Sequence, residues 1–307
     1  MIMIRILAPM ALVVMVLAAS PAAAAGPEIL TGDVERFYRL YDATGGRPTA
    51  EAIQRDYLAH ASPGLAHLAR IRNISAQRIA TAIETNPRLY DDARRCAAHL
   101  PGVKARLAPA LDRLSALYPQ AKSPPVYIVV GRGRPVGVGD TGGVYIGLEA
   151  LCAWTDPNPD EEARFVHVLA HEYVHVQQAA FNDETPDDTV LKIALIEGVA
   201  EFLGEQMSGH VAYQHLVAAG RGREREFEAG FLKDLDAKAD GSRWVYNGRG
   251  TAEHPGDLGY WIGYRIAKAY YRNAPDKAAA IRTLIELKDP KALLAASGWT
   301  PGMTFED

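Results

Sequence analysis

The chain carries only two cysteines in 307 residues, too few for a disulfide-stapled mini-protein and too far from its histidines for a cysteine-ligated zinc. It also lacks an excess of positive charge. A formal net charge of -4 gives no reason to expect nucleic acid or an anionic membrane as partner. Beyond the first residues there is no repeat of fixed period and no low-complexity tract, which argues against solenoids and disordered arms. Past residue 25 no apolar run is long enough to cross a bilayer.

The start of the chain differs. Arg5 precedes an apolar run from Ile6 to Ala19, and the small residues Ala22 to Ala25 lead into Gly26. This layout reads as a secretory signal peptide over residues 1–25. A membrane anchor is the alternative, opposed by Pro9 and by a run shorter than the ~20 residues a span requires. The mature protein is therefore expected to be periplasmic or secreted, with no membrane contact after cleavage. In an oxidising compartment Cys96 and Cys152 are free to pair, or they are two separate buried thiols; the sequence leaves both open.

From Asp33 to Tyr118 the segments VERFYRLY, TAEAIQRDYLAH and SAQRIATAIE repeat apolar residues at three-and-four spacing. Pro63-Gly64, Asn86-Pro87 and Pro101-Gly102 separate them, as expected of successive helices. After Ser123-Pro124-Pro125 the pattern changes. The β-branched run Val126 to Val130 and, past a glycine-rich loop, Val144 to Ile146 read as two strands. Asn158-Pro159-Asp160 predicts a helix start with a cap, a proline and acids in favourable places, the helix running to about Phe181. Pro186 to Thr189 announces a second helix ending near Ser208-Gly209. Further helices are expected over about 212–238, 258–274 and 276–287. The expected fold is α+β and predominantly helical. A helical N-terminal subdomain at 26–120 would precede a domain at 121–307.

His171-Glu172-Tyr173-Val174-His175 has the spacing H-E-x-x-H within the best-signalled helix. Residues four apart stack on one helix face, so both imidazoles reach one ion while Glu172 flanks its water as general base. A catalytic zinc needs three protein ligands and an open position. Glu197, on the next expected helix, supplies the third. Glu201 lies one turn further along, where its carboxylate can take the second N–H of a ligating histidine. Acids at this spacing usually mark a solvated face, yet Ile193, Ala194, Leu195, Ile196, Val199, Phe202 and Leu203 surround this pair, and an unpaired buried carboxylate is costly. Gly198 and Ala200 are small enough to let the two helices approach closely. His167 extends the histidine row, but it starts ~12 Å from His175 at 1.5 Å per residue. It is read as a packing or rim residue.

HEYVHVQQ followed by IEGVAEFLGE, with GGVYIGLEAL before and DLGYWIGYRIAKAYY after, resembles a bacterial family of predicted zinc-dependent proteases of unknown function. The resemblance spans most of the mature chain. The two metal helices are also similar to gluzincin metallopeptidases, the thermolysin-like class, which implies a zincin-like domain with Zn2+ on His171, His175 and Glu197, catalysis by Glu172 and an outer role for Glu201. Gluzincins add a Tyr or His that donates to the oxyanion. Tyr260 is the first candidate here, then Tyr264, then His254; ordinary packing is the alternative for the tyrosines. Gly142, Gly143 and the strand from Val144 are candidates for holding an extended substrate at a sheet edge, a plain turn being the alternative. The expected activity is hydrolysis of a peptide or protein substrate. A zinc-bearing binding module and a hydrolase of non-peptide amides or esters stay open.

Overall fold

The computed structural model describes residues 27–134, 136–153, 160–210, 214–248, 250–251 and 253–305. The signal-peptide reading lies outside them. Among the described residues no helix is long and apolar enough to cross a membrane.

Six helices open the chain: α1 (Gly32–Ala43), α2 (Ala50–Asp56), α3 (Pro63–Ile71), α4 (Ala76–Thr85), α5 (Pro87–Cys96) and α6 (Leu100–Leu117). Thr49, Ser62 and Ser75 cap α2, α3 and α4 by accepting backbone N–H bonds, which satisfies donors that a helix start leaves orphaned. A four-stranded sheet contains β1 (Ile29–Leu30), β2 (Val126–Val129), β3 (Gly137–Asp140) and β4 (Gly143–Gly147) in the order β1-β2-β4-β3. The first two pairings are parallel and β3 runs antiparallel to β4. β4 is buried along its whole length, as a central strand covered on both faces must be.

The second half is helical: α7 (Leu148–Ala153), α8 (Glu161–Gln177), α9 (Ala179–Asn182), α10 (Val190–Ser208), α11 (Gln214–Gly220), α12 (Glu224–Phe231), α13 (Leu258–Asn273), α14 (Lys277–Glu286) and α15 (Pro290–Ser297). α8 lies across β3 and β4, α10 packs on α8, and α13 packs on α10. The protein is thus α+β with helix in the majority.

Several boundaries differ from the sequence reading. Asn158 and Pro159 lie outside the described residues, and the cap of α8 is Asp160, which accepts from the Ala163 N–H. α8 stops at Gln177 rather than Phe181, because Gln178 adopts an extended conformation. The glycine-rich loop contains a strand, β3. The stretch 212–238 holds two short helices, while β1 and α15 went unread. One apolar core runs through residues on both sides of position 120. Tyr57 both donates to the Val130 carbonyl (2.7 Å) and accepts from its N–H (3.1 Å). Tyr90 donates to the Gly131 carbonyl at 3.0 Å, and a Cys96–Cys152 disulfide ties α5 to α7.

Candidate metal centre

α8 and α10 present His171, His175 and Glu197 to one point. His175 Nε2 stands 3.0 Å from His171 Nε2, and each is 3.3 Å from Glu197 Oε2. Atoms about 2.0–2.1 Å from a tetrahedral zinc are spaced about 3.3–3.4 Å apart. Two imidazole nitrogens and a carboxylate oxygen at this spacing therefore fit zinc in both geometry and donor type. All three residues are buried.

The supports face the opposite side of each ring. His175 Nδ1 lies 2.8 Å from Gln178 Oε1, while the Gln178 amide donates to the Ile196 carbonyl at 2.9 Å. That amide orientation leaves Oε1 to accept the Nδ1–H and keeps the Nε2 lone pair for the metal. One fully buried glutamine thus links His175 to the residue just before Glu197. Phe181 of α9 stacks on the His175 ring at 4.0 Å between centroids. Glu201 Oε1 approaches His171 Nδ1 at 2.7 Å, too oblique for a regular hydrogen bond. Its other oxygen sits 3.1 Å from Nε2 of His167, a buried residue also bonded to Ser208. Glu201 thus stands between His171 and His167.

Burial works against ionisation of all these carboxyls, but the adjacent histidines overcome it for Glu197 and Glu201, which fall to about 2. Both are charged and cation-seeking at neutral pH. For Glu172 burial prevails over His175 and His171, and its carboxyl stands above the usual carboxylate range. Glu172 rests against the edge strand: a Cβ on Gly137 would fall 2.6 Å from Glu172 Oε1, and one on Gly139 would fall 2.4 Å from the Glu172 carbonyl oxygen. Only glycines let β3 cross α8 this closely.

Val144 is not at an edge, since β4 is bonded to β2 on one side and β3 on the other; β3 is the edge strand beside Glu172, Gly142 lies in the turn between β3 and β4, and Gly143 opens β4. The Tyr264 hydroxyl donates to Glu205 at 2.8 Å and accepts from Lys268 at 2.9 Å. It is committed two turns along α10 from Glu197. Tyr260 is buried, with its ring edge-on to Tyr246 at 6.4 Å. His254 lies on an exposed turn and acts on Glu226. The hydrogen of Gly198 faces α13, against the Gly263 backbone.

Tyr246 was missed by the sequence reading. Among the described residues it is the most exposed of the large apolar side chains, at 53%, and its backbone is left-handed, with φ 59°. Its hydroxyl lies 3.1 and 3.2 Å from the two oxygens of Glu184, three residues past the Phe181 that stacks on His175. Burial followed by the charges of Glu197 and Glu184 raises its phenol well above the ordinary value. Exposed aromatics on strained backbone concentrate at functional sites. The tight run Trp244-Val245-Tyr246 between glycine-rich turns was the available signal.

No curated protein and no solved structure matches the chain. A family model described as predicted Zn-dependent protease (DUF2268) matches residues 110–288. That span is more than half of the chain and includes α8, α10 and every residue of the triangle, so the chain belongs to this family of predicted Zn-dependent proteases.

Proposed function

We propose that the protein is an exported zinc metallopeptidase of gluzincin type, in which His171, His175 and Glu197 hold the metal. The carrying observation is the 3.0–3.3 Å triangle of Nε2, Nε2 and Oε2 atoms with Glu172 beside it. When bound, zinc supplies Lewis acidity, which acidifies water and polarises a carbonyl.

The chain's own residues do the rest. The β3 edge offers unpaired backbone groups to an extended peptide. Glu172, its carboxyl raised by burial, takes a proton from the attacking water and passes it to the departing amine. Tyr246, whose phenol feels the charge of Glu197 and whose partner Glu184 follows the Phe181 that stacks on His175, is our choice over Tyr260 and Tyr264 for the donor to the oxygen that gains charge, a role in which it would exchange Glu184 for substrate. Gln178 and Glu201 hold the imidazoles in register. A peptide or protein is the proposed substrate. The leader-like first 25 residues and the Cys96–Cys152 disulfide support an oxidising, extracytoplasmic location.

The test is Glu172→Gln on the purified mature protein, with zinc measured by elemental analysis and cleavage by casein or a peptide library. The expected outcome is unchanged zinc with cleavage reduced about 10²- to 10⁴-fold. Full cleavage by this variant removes Glu172 as the base. Stoichiometric zinc in a wild-type protein that cleaves nothing would instead indicate a zinc-bearing binding module.

A further inference from the structure

In a chain of net charge -4, one surface gathers arginines that make no direct ion pair among the described residues, the nearest carboxylate link being Asp140, which Arg70 reaches only through His67. Arg70 and Arg72 lie at the end of α3, Arg78 in the first turn of α4, and Arg132 and Arg134 on the loop from β2 to β3. Arg132 Nε and Nη2 donate to the Arg72 carbonyl at 3.3 and 3.0 Å. Arg78 donates to the Asn73 carbonyl at 3.2 Å, and Arg70 to His67 Nδ1 at 3.0 Å. Among the described residues none of these guanidinium groups lies within ion-pair distance of a carboxylate. Arg78 even occupies a helix N-terminus, where the dipole disfavours cations.

The gathering is built rather than incidental to loose chain. Beneath the loop, buried Glu149 accepts the N–H groups of Gly131 (3.0 Å) and Gly133 (2.9 Å) through one oxygen. Tyr57 and Tyr90 hold the Val130 and Gly131 carbonyls. Asn73, with φ 51°, turns the chain between Arg72 and Arg78. Burial, then the like charges of Arg134 and Arg78, depress Arg132. Ile71, 38% exposed, gives the patch an apolar footing. The same loop leads directly into Gly137, against which the Glu172 carboxylate rests. The patch therefore borders the edge strand where a peptide would lie.

We propose that this arginine patch is a substrate subsite for peptide carboxylates, so that the enzyme favours chains with acidic residues near the cleaved bond. The proposal rests on the peptidase reading and specifies its substrate. Arginine forks suit carboxylates because two parallel N–H groups match two oxygens. The carboxylates come from Asp and Glu side chains or from a peptide's C-terminus.

The test uses zinc-loaded Glu172→Gln protein and fluorescence anisotropy with labelled, end-blocked peptides containing a run of Glu, Gln or Lys. The Glu peptide is expected to bind tightest, to weaken as salt shortens the screening length, and to lose about tenfold in affinity in the Arg132→Ala/Arg134→Ala double variant. Arg72→Ala, on a separate element, should weaken it in the same direction and decides the question should the loop double variant fail to fold. Unblocking the C-terminus of the Gln peptide separates the two sources: a gain there alone assigns the patch to the terminal carboxylate. Equal binding of Glu and Gln peptides, preference retained in both variants, or tighter binding of a single-stranded oligonucleotide overturns the proposal. Wild-type cleavage without acidic preference sinks this proposal alone, whereas arginine-dependent acidic binding with no cleavage of any peptide sinks the peptidase reading and leaves the patch assignment standing.

Discussion

Replacing Gly198 by alanine tests whether the packing of α10 on α13 sets the metal centre. A methyl at this position would stand 2.1 Å from the Gly263 carbonyl carbon, 2.2 Å from the Tyr264 nitrogen and 2.4 Å from the Gly263 Cα. All three are backbone, so no side chain can rotate away. Ordinary carbon contacts are about 3.5–4.0 Å, so the helices must part by roughly 1–1.5 Å. Overpacking costs about 1–3 kcal/mol, and a clash with main chain belongs at the upper end. Alanine returns up to about 1 kcal/mol through helix propensity. The clash wins by about 2 kcal/mol, which lowers Tm by about 4–8 °C for a domain of this size. Because Glu197 is the preceding residue, its oxygen shifts relative to histidine nitrogens 3.3 Å away, and zinc affinity should fall about tenfold or more. Calorimetric melting and zinc competition with a fluorescent chelator read both effects. Gly32→Ala is the control, since a Cβ there meets nothing within 4 Å, and it should not destabilise. Wild-type Tm and zinc affinity in Gly198→Ala would refute the reasoning.

Glu201→Gln should weaken zinc binding about 10- to 100-fold while leaving the three ligands intact; unchanged affinity in the same competition assay would show that Glu201 serves only His167. Tyr246→Phe should lower kcat at least tenfold with zinc content unchanged, since only its hydroxyl is lost. Tyr264→Phe should do the reverse, lowering Tm through Glu205 and Lys268 without affecting kcat. If the kinetic loss follows Tyr264 instead, the donor assignment moves there.

The two candidate histidine ligands are legible in the sequence because their geometry is local: a four-residue interval on a helix brings two imidazoles together whatever the surrounding fold. Glu197 and Glu201 were legible because acids inside an apolar run need a buried purpose. Strand order is not local, which is why an edge and a plain turn stay open for Val144 in the sequence: nothing within its own segment records which strands flank it. β3 was hidden for a related reason. Glycine disfavours strands, yet Gly137 and Gly139 stand where α8 presses against the sheet, a requirement visible only after folding. The end of α8 is likewise tertiary: QQAA is good helix sequence, and the break appears where Gln178 bonds both His175 and the Ile196 carbonyl. Tyr246 sits in irregular chain with no periodicity to mark it.

The pairing of Ile29 with Val126 also constrains the order in which the molecule assembles. β1 is the first described strand to be synthesised, yet the whole helical first third must follow before its partner exists. Closing a loop of that length costs about 4 kcal/mol of chain entropy, and such distant contacts slow folding. The β3–β4 hairpin, closed by the short turn through Thr141 and Gly142, has no such wait. Pulse-labelled hydrogen exchange during refolding should therefore find the Val126 amide, which bonds the Glu28 carbonyl, protected after those of the hairpin; earlier protection would contradict this order. The opening segment of the polypeptide is then among the last to join its sheet.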